Sequence, residues 1–290
     1  MSTRALLVML CGAAIALSGC GAKEAAVVKG AFEQDIKSAN IELTMSVKSA
    51  QEAVNVSLAG PYQSNGKDKL PSADLALKVQ GATPKTIEGR LISTGDNAFV
   101  EYEGETYEVG KDKIAELEKQ GAAGGTNQLS AADIRQLMGT MQDWFPESDT
   151  QENADLDGEP VTRVTGKLDL SEALTDLKGL ASKPGMSGVE ELKQLSGGDI
   201  KRIERMVSDP KFTIDVGKSD GKLRRIQASI KVDDKSDSGT LDFSLRFKDV
   251  DKPVTINAPS SGKPIEALGQ KLGEEFGSGS SGGTTDAQVN

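Results

Sequence analysis

Serine–lysine pairs at nucleophile spacing, such as Ser64 with Lys67, Ser219 with Lys222, and Ser260 with Lys263, are the first chemistry to test. A Ser-x-x-Lys dyad works when a helical turn brings the amine onto the hydroxyl. Each of these three has a glycine beside the lysine, in turn-rich sequence, so solvated turns are the expectation. Asn153-Ala154-Asp155-Leu156-Asp157-Gly158 sets oxygen ligands at alternate positions, as a calcium loop does. Val164 stands where that loop needs a bidentate glutamate, so a polar turn fits better. Gly217 to Lys222 is one residue short of a phosphate loop, and Leu223 replaces its hydroxyl residue. The chain has no histidine, which removes Ser-His-Asp and Cys-His catalysis, histidine zinc sites and the usual switch near neutral pH. No catalytic residue, metal or cofactor is assigned, and the expectation is a protein that is not an enzyme.

Cys20 is different. It closes the segment Leu17-Ser18-Gly19-Cys20, preceded by Arg4 and an apolar run from Ala5 to Leu17. That run is shorter than the roughly 20 residues that cross a hydrocarbon core of about 30 Å. The pattern resembles a bacterial lipobox at the end of a signal peptide, residues 1–19. At such a site the cysteine thiol is alkylated with diacylglycerol and the chain is cut just before it. Two or three acyl chains, at about 0.8 kcal/mol per buried CH₂, then hold a protein stably at a membrane. An ordinary signal peptide cut beside a cysteine is the alternative. With Cys11 removed and Cys20 acylated, no thiol remains for a disulfide or a metal. The formal net charge of −10 argues against nucleic acid as a partner. The cell membrane, reached through the anchor on its extracytoplasmic face, is the expected location.

Elements able to position a site are mostly strands. Ile41, Leu43, Met45 and Val47 alternate with polar residues, as do Val54, Val56 and Leu58, then Leu75, Leu77 and Val79. Ile87–Ser93 and Phe99–Val109 read as further strands, with turns at Gly95-Asp96-Asn97 and Glu103-Gly104. The middle changes to helical spacing over Leu129–Phe145, Ser171–Leu180, Val189–Leu195 and Asp199–Val207, with a strand over Val161–Leu168 between the first two. Strands resume with Phe212, Ile214 and Val216, turn at Ser219-Asp220-Gly221, and continue through Ile226–Val232 and Leu241–Phe247. Val254 and Ile256 suggest a last short strand. A helix over Glu24–Ser38 precedes strand one. The organisation expected is a tether over 20–30, one domain over 31–258, and a Gly/Ser-rich, disordered tail over 259–290.

The fold class that follows is α+β, a large antiparallel sheet with one apolar face. Such a face must be covered, and a strongly twisted sheet curls into a trough. Helices laid in a trough either fill it or leave apolar volume for an acyl chain. The positions that would line such a cavity are Leu75, Leu77, Leu91, Ile214, Ile226, Ala228, Ile230, Phe243, Leu245 and Phe247. A fully packed core uses the same residues. Trp144-Phe145 is read as a buried anchor or as a lip of the cavity.

Gly89-Arg90-Leu91-Ile92-Ser93-Thr94-Gly95-Asp96-Asn97-Ala98-Phe99-Val100 resembles a hairpin of the LppX/LprG family of actinobacterial lipoproteins. Asp157-Gly158-Glu159-Pro160-Val161-Thr162, continuing through Gly166-Lys167-Leu168-Asp169, resembles the strand that precedes that family's helices. The resemblance covers roughly residues 30–257. It implies a LolA-like and MucB/RseB-like fold, a curved antiparallel half-barrel with helices on its concave face. It also implies an extracytoplasmic lipoprotein that binds or carries lipids or lipidated glycans. The partners implied are an acylated lipid or glycolipid and an envelope membrane protein. A lipid-anchored sensor or partner-binding module without lipid transport stays open as the alternative.

Overall fold

The computed structural model describes residues 20–49, 52–66, 69–81, 86–122, 144, 147–182, 190–233 and 238–277. Helix α1 (Cys20–Glu33) leads into β1 (Ser38–Ser49), β2 (Ala53–Gln63), β3 (Ser72–Gln80), β4 (Thr86–Thr94), β5 (Ala98–Tyr102) and β6 (Glu105–Glu108). Helix α2 (Lys111–Ala122) follows, then β7 (Glu147–Leu156) and β8 (Glu159–Lys167). Helices α3 (Leu170–Ala181), α4 (Glu190–Gln194) and α5 (Gly197–Met206) separate these from β9 (Val207–Gly217), β10 (Leu223–Asp233) and β11 (Ser238–Lys248). A two-residue strand β12 (Lys263–Pro264) and helix α6 (Ile265–Gly277) complete the described chain.

All strands join one open sheet in the order β12-β6-β5-β4-β3-β2-β1-β11-β10-β9-β8-β7. The fold is the expected α+β half-barrel. Strand β1 sits in the middle because it pairs with β2 on one side and β11 on the other. Among the described strands only β12 is parallel to its neighbour, β6. Register carries the apolar alternation from strand to strand. Val164, Ile214, Ile226, Leu245, Leu43, Leu58 and Leu77 lie opposite one another from β8 to β3. A side-chain period of two then puts every apolar set on one face.

On that face the packed core lies at the two ends, and a small third cluster of Ala154, Leu156 and Val161 joins β7 to β8. At one end α1 buries Val28 and Ala31 against Val164, Phe212, Ile214, Val216 and Leu223. At the other, α6 buries Leu268 against Tyr102 and Tyr107. Helix α5 starts in a capping box, in which Ser196 Oγ accepts from the Asp199 amide and the Asp199 carboxylate accepts from the Ser196 amide. That arrangement satisfies two amides that a helix start leaves without partners. Asp169 caps α3 in the same sense, accepting from the Glu172 amide.

Several sequence expectations are corrected. The chain beyond Pro259 was expected to have little to pack, yet α6 occupies Ile265–Gly277, with Ile265, Leu268 and Leu272 joining the Tyr102–Tyr107 cluster. Val254 and Ile256 lie in irregular chain rather than a strand. Residues 20–30 fall within α1, which begins at Cys20 and ends at Glu33, before Ile36. Two elements carried no clear pattern: α2, and β7, whose sequence ESDTQENADL is polar up to Asn153 and buries only Ala154 and Leu156, against Val161 of β8. Strand β7 ends the sheet, and a charged edge strand discourages pairing with other chains. Apart from Trp144, the helix expected over 129–145 lies outside the described residues.

Candidate functional site

Between the two helix-covered ends, the apolar face is only partly buried. Val164 and Ile214 are at most 1% exposed under α1, and Tyr107 is 1% exposed beside α6. Met45, Val47 and Leu91 on the same face are 37%, 42% and 43% exposed. Leu43, Val56, Leu58, Leu75, Leu77, Phe243 and Leu245 are half-buried. The result is an apolar floor on β3, β2, β1 and β11, walled by α1 at one side and α6 at the other.

The ten positions expected to line a cavity share this face. Leu75 lies opposite Leu91, Leu77 opposite Leu58, and Ile226 opposite both Ile214 and Leu245. Ala228 lies opposite Phe243, Ile230 opposite Leu241, and Phe247 opposite Ile41. They do not form one site. Ile214 belongs to the α1 core, and Ile226 and Phe247 pack against that core. Leu75, Leu77, Ala228, Ile230, Phe243 and Leu245 are half-buried on or beside the floor, and Leu91 is exposed. Leu43, Met45, Val47, Val56 and Leu58 complete the floor. Their alternation was visible in the sequence, but their central place depends on β1 pairing with β11. Trp144 is partly buried; it packs against the α1 core and donates from Nε1 to Asp176 Oδ2 at 2.8 Å.

Between β3 and β9 the opposite face is hydrophilic and carries a cavity of about 690 Å³. Polar residues two apart on each strand bound it: Thr44 and Ser46, Asn55 and Ser57, Gln227 and Ser229, Asp242 and Ser244. Lys78 and Gln80 line it on β3 while Val79 between them does not. This assigns the cavity to the polar face, although Met45, Val56, Phe212, Ala228 and Phe243, one register row between the polar ones, also touch it. It crosses six strands from β3 to β9, about 24 Å at the usual strand spacing. Short Ser and Thr side chains leave the space.

Beside this groove runs a charged row in register: Arg163, Asp215, Arg225, Arg246 and Glu42. Asp215 is fully buried and accepts from Arg163 Nε and from Arg225 Nε, each at 2.6 Å. Arg246 Nη2 pairs with Asp157 at 2.5 Å, and its hydrogen bond holds the Asp157 carboxyl below the usual carboxylate range. On β4, Arg90 bridges Asp74 and Glu101, and the Asp74 hydrogen bonds raise its already high pKa. These groups have fixed partners in the sheet and are not arranged as nucleophile and base.

No family model matches the chain, and no curated protein is a significant relative. Among solved structures, LprF from Mycobacterium bovis is similar over 82% of this chain and 98% of that one, at 14% identity and a TM-score of 0.46. The lipoprotein LppX from Mycobacterium tuberculosis is similar over 81% and 98%, at 14% identity and a TM-score of 0.41. A LolA superfamily protein from Nitrosomonas europaea is similar over 78% and 93%, at 10% identity and a TM-score of 0.20. These likenesses are weak, and function has to be argued from the residues of this chain.

Proposed function

We propose that this protein is an extracytoplasmic lipoprotein, anchored to the cell membrane through Cys20, that binds or carries an acylated lipid or lipidated glycan on its apolar floor. The observation that carries the reading is the half-buried state of that floor between two helix-covered ends. A sheet that served only as a scaffold would bury its central apolar residues best. Here the apolar side chains of the central strand β1 are half-buried at Leu43 and exposed at Met45 and Val47. Acyl chains laid there would remove apolar surface from water at about 25 cal/mol per Å². The floor offers shape and burial with no reactive group, in keeping with a binder.

The test is native mass spectrometry of the chain from Gly21 onward, followed by lipid extraction. A bound acylated species is expected. Protein that is empty, and stays empty when offered phospholipid and glycolipid, would overturn the reading.

A partner-binding module is the second reading, and the polar groove favours it. It requires saturable binding to an envelope membrane protein that persists when the apolar floor is blocked.

A further inference from the structure

On the face of the sheet opposite α1, strands β9, β10, β11, β1, β2 and β3 carry two register rows of polar side chains. One row is Lys211, Ser229, Asp242, Ser46, Asn55 and Gln80. The other is Thr213, Gln227, Ser244, Thr44, Ser57 and Lys78. Both rows line the cavity of about 690 Å³, and the residues between them meet it from beneath. The sheet curls over this same face. Asp157, in the turn between β7 and β8, reaches Arg246 on β11 at 2.5 Å, three strands further on.

A solvated sheet face is polar in any case, so composition alone does not mark a site. This face differs in being concave and in leaving its hydrogen-bonding groups open. Ser46 Oγ is buried with no hydrogen-bond partner, a state that calls for a ligand or an equivalent group. Of the neutral side chains in the two rows, only that of Ser229 makes a hydrogen bond among the described residues, to Asp242 at 2.7 Å. The charged members already have partners. Lys78 pairs with Glu88 at 3.0 Å and Lys211 with Asp209 at 2.7 Å.

We infer that this groove binds a linear, uncharged glycan laid across the strands. Hydroxyl and amide side chains donate and accept alike, which matches sugar hydroxyls that do the same. The two rows stand about 7 Å apart, enough for a pyranose ring, and repeat about every 4.8 Å across the strands. That repeat is close to the advance per sugar of an extended pyranose chain. A polyanion would meet Asp242 and two lysines that are already paired. An acyl chain would leave the hydroxyls and amides buried without partners. A peptide gains no strand addition here, since all six strands are flanked by others on both sides. The sheet separates the groove from the apolar floor, so the glycan is a ligand distinct from the lipid proposed above, and the inference does not depend on that reading.

The test is calorimetric titration of the full chain, held in a detergent without a sugar headgroup, with linear hexasaccharides of glucose and of N-acetylglucosamine. Saturable binding of at least one is expected. Asn55→Ala and Gln227→Ala should each weaken it about two- to tenfold, the loss of one neutral hydrogen bond. Thr44→Arg, at an exposed position in the middle of the groove, should abolish it with an unchanged melting temperature. If that variant fails to fold, the two alanine variants still decide. Inorganic polyphosphate and a neutral peptide rich in serine and glutamine are the competing probes. Binding of either in place of the sugars overturns the inference, as does silence with both hexasaccharides at millimolar concentration. Equal affinity in the folded variants overturns it too, because the sugar then sits elsewhere. Sugar binding without phospholipid uptake sinks the carrier reading alone and leaves the glycan site standing.

Discussion

Asp215 shows how much of the hydrophilic face is settled between strands. It is fully buried, and both of its oxygens accept from arginines on neighbouring strands. Asp215→Ala leaves two partly buried guanidinium groups without their shared acceptor. The expected cost is about 3 kcal/mol, the lower end for breaking a buried pair, because both arginines keep some exposure. Urea unfolding monitored by circular dichroism would read it; a change below about 0.5 kcal/mol, as at an ordinary surface site, would show that the arginines find other partners. Gly166 is a second residue-scale test. A Cβ there would stand 2.2 Å from the Glu147 carbonyl and 2.8 Å from Phe212. Gly166→Ala should therefore destabilise by about 1–3 kcal/mol, as overpacking does, and equal thermal stability would contradict the close approach. The alternation of Phe212, Ile214 and Val216 already put Asp215 on the polar side. Its burial was not legible, because it needs Arg163 and Arg225, 52 and 10 residues away in sequence.

At the scale of elements, α6 is the clearest departure from the sequence reading. It docks through Leu268 and is held by ion pairs, Lys263 to Glu105 on β6, Lys271 to Glu103 at 2.9 Å, and Lys113 to Glu266. Leu268→Ala should loosen this end by about 2 kcal/mol or more, seen as faster amide exchange in β5 and β6 with β9 and β10 unchanged. The Lys263 hydrogen bond, with help from Tyr107, lowers the Glu105 pKa from 4.5 to about 2. A carboxylate depressed in the folded state contributes its stability above the unfolded value and loses it as pH falls through the folded one. Amide exchange at β6 and β12 should therefore rise as pH drops from 4.5 toward 2, after correction for the intrinsic rate. A flat profile would mean that the pair does not hold α6. Helices α3 and α5 were readable from a local signal, the helical spacing of their apolar residues. Helix α6 was not, since its apolar residues are few and sit beside a Gly/Ser-rich tail. Only contact with Tyr102 and Tyr107 gives them a reason to order. Strand β7 was hidden for a related reason: a polar edge strand is specified by its neighbour's hydrogen bonds more than by its own side chains.

For the whole molecule, the apolar floor is the feature to test. Ala228 lies between Phe212 and Phe243 on neighbouring strands. Ala228→Trp should reduce uptake of labelled phospholipid if the floor takes acyl chains. Lost stability with unchanged uptake would indicate a solid core at that point. Cys20→Ala should release the protein from membranes, measured by partition after fractionation, and retention would contradict the anchor. The sequence by itself determined the strand periods, the main turns, the one-sided apolar pattern and the absence of histidine chemistry. Each of these depends on neighbours a few residues apart or on composition alone. Tertiary structure decided the rest: β1 at the centre of the sheet, α1 and α6 at opposite ends of one face, and the half-buried floor between them. Alternation states that one face of a strand is apolar, whereas burial depends on which distant segment lies over it, and that choice is made by the packing of the whole chain.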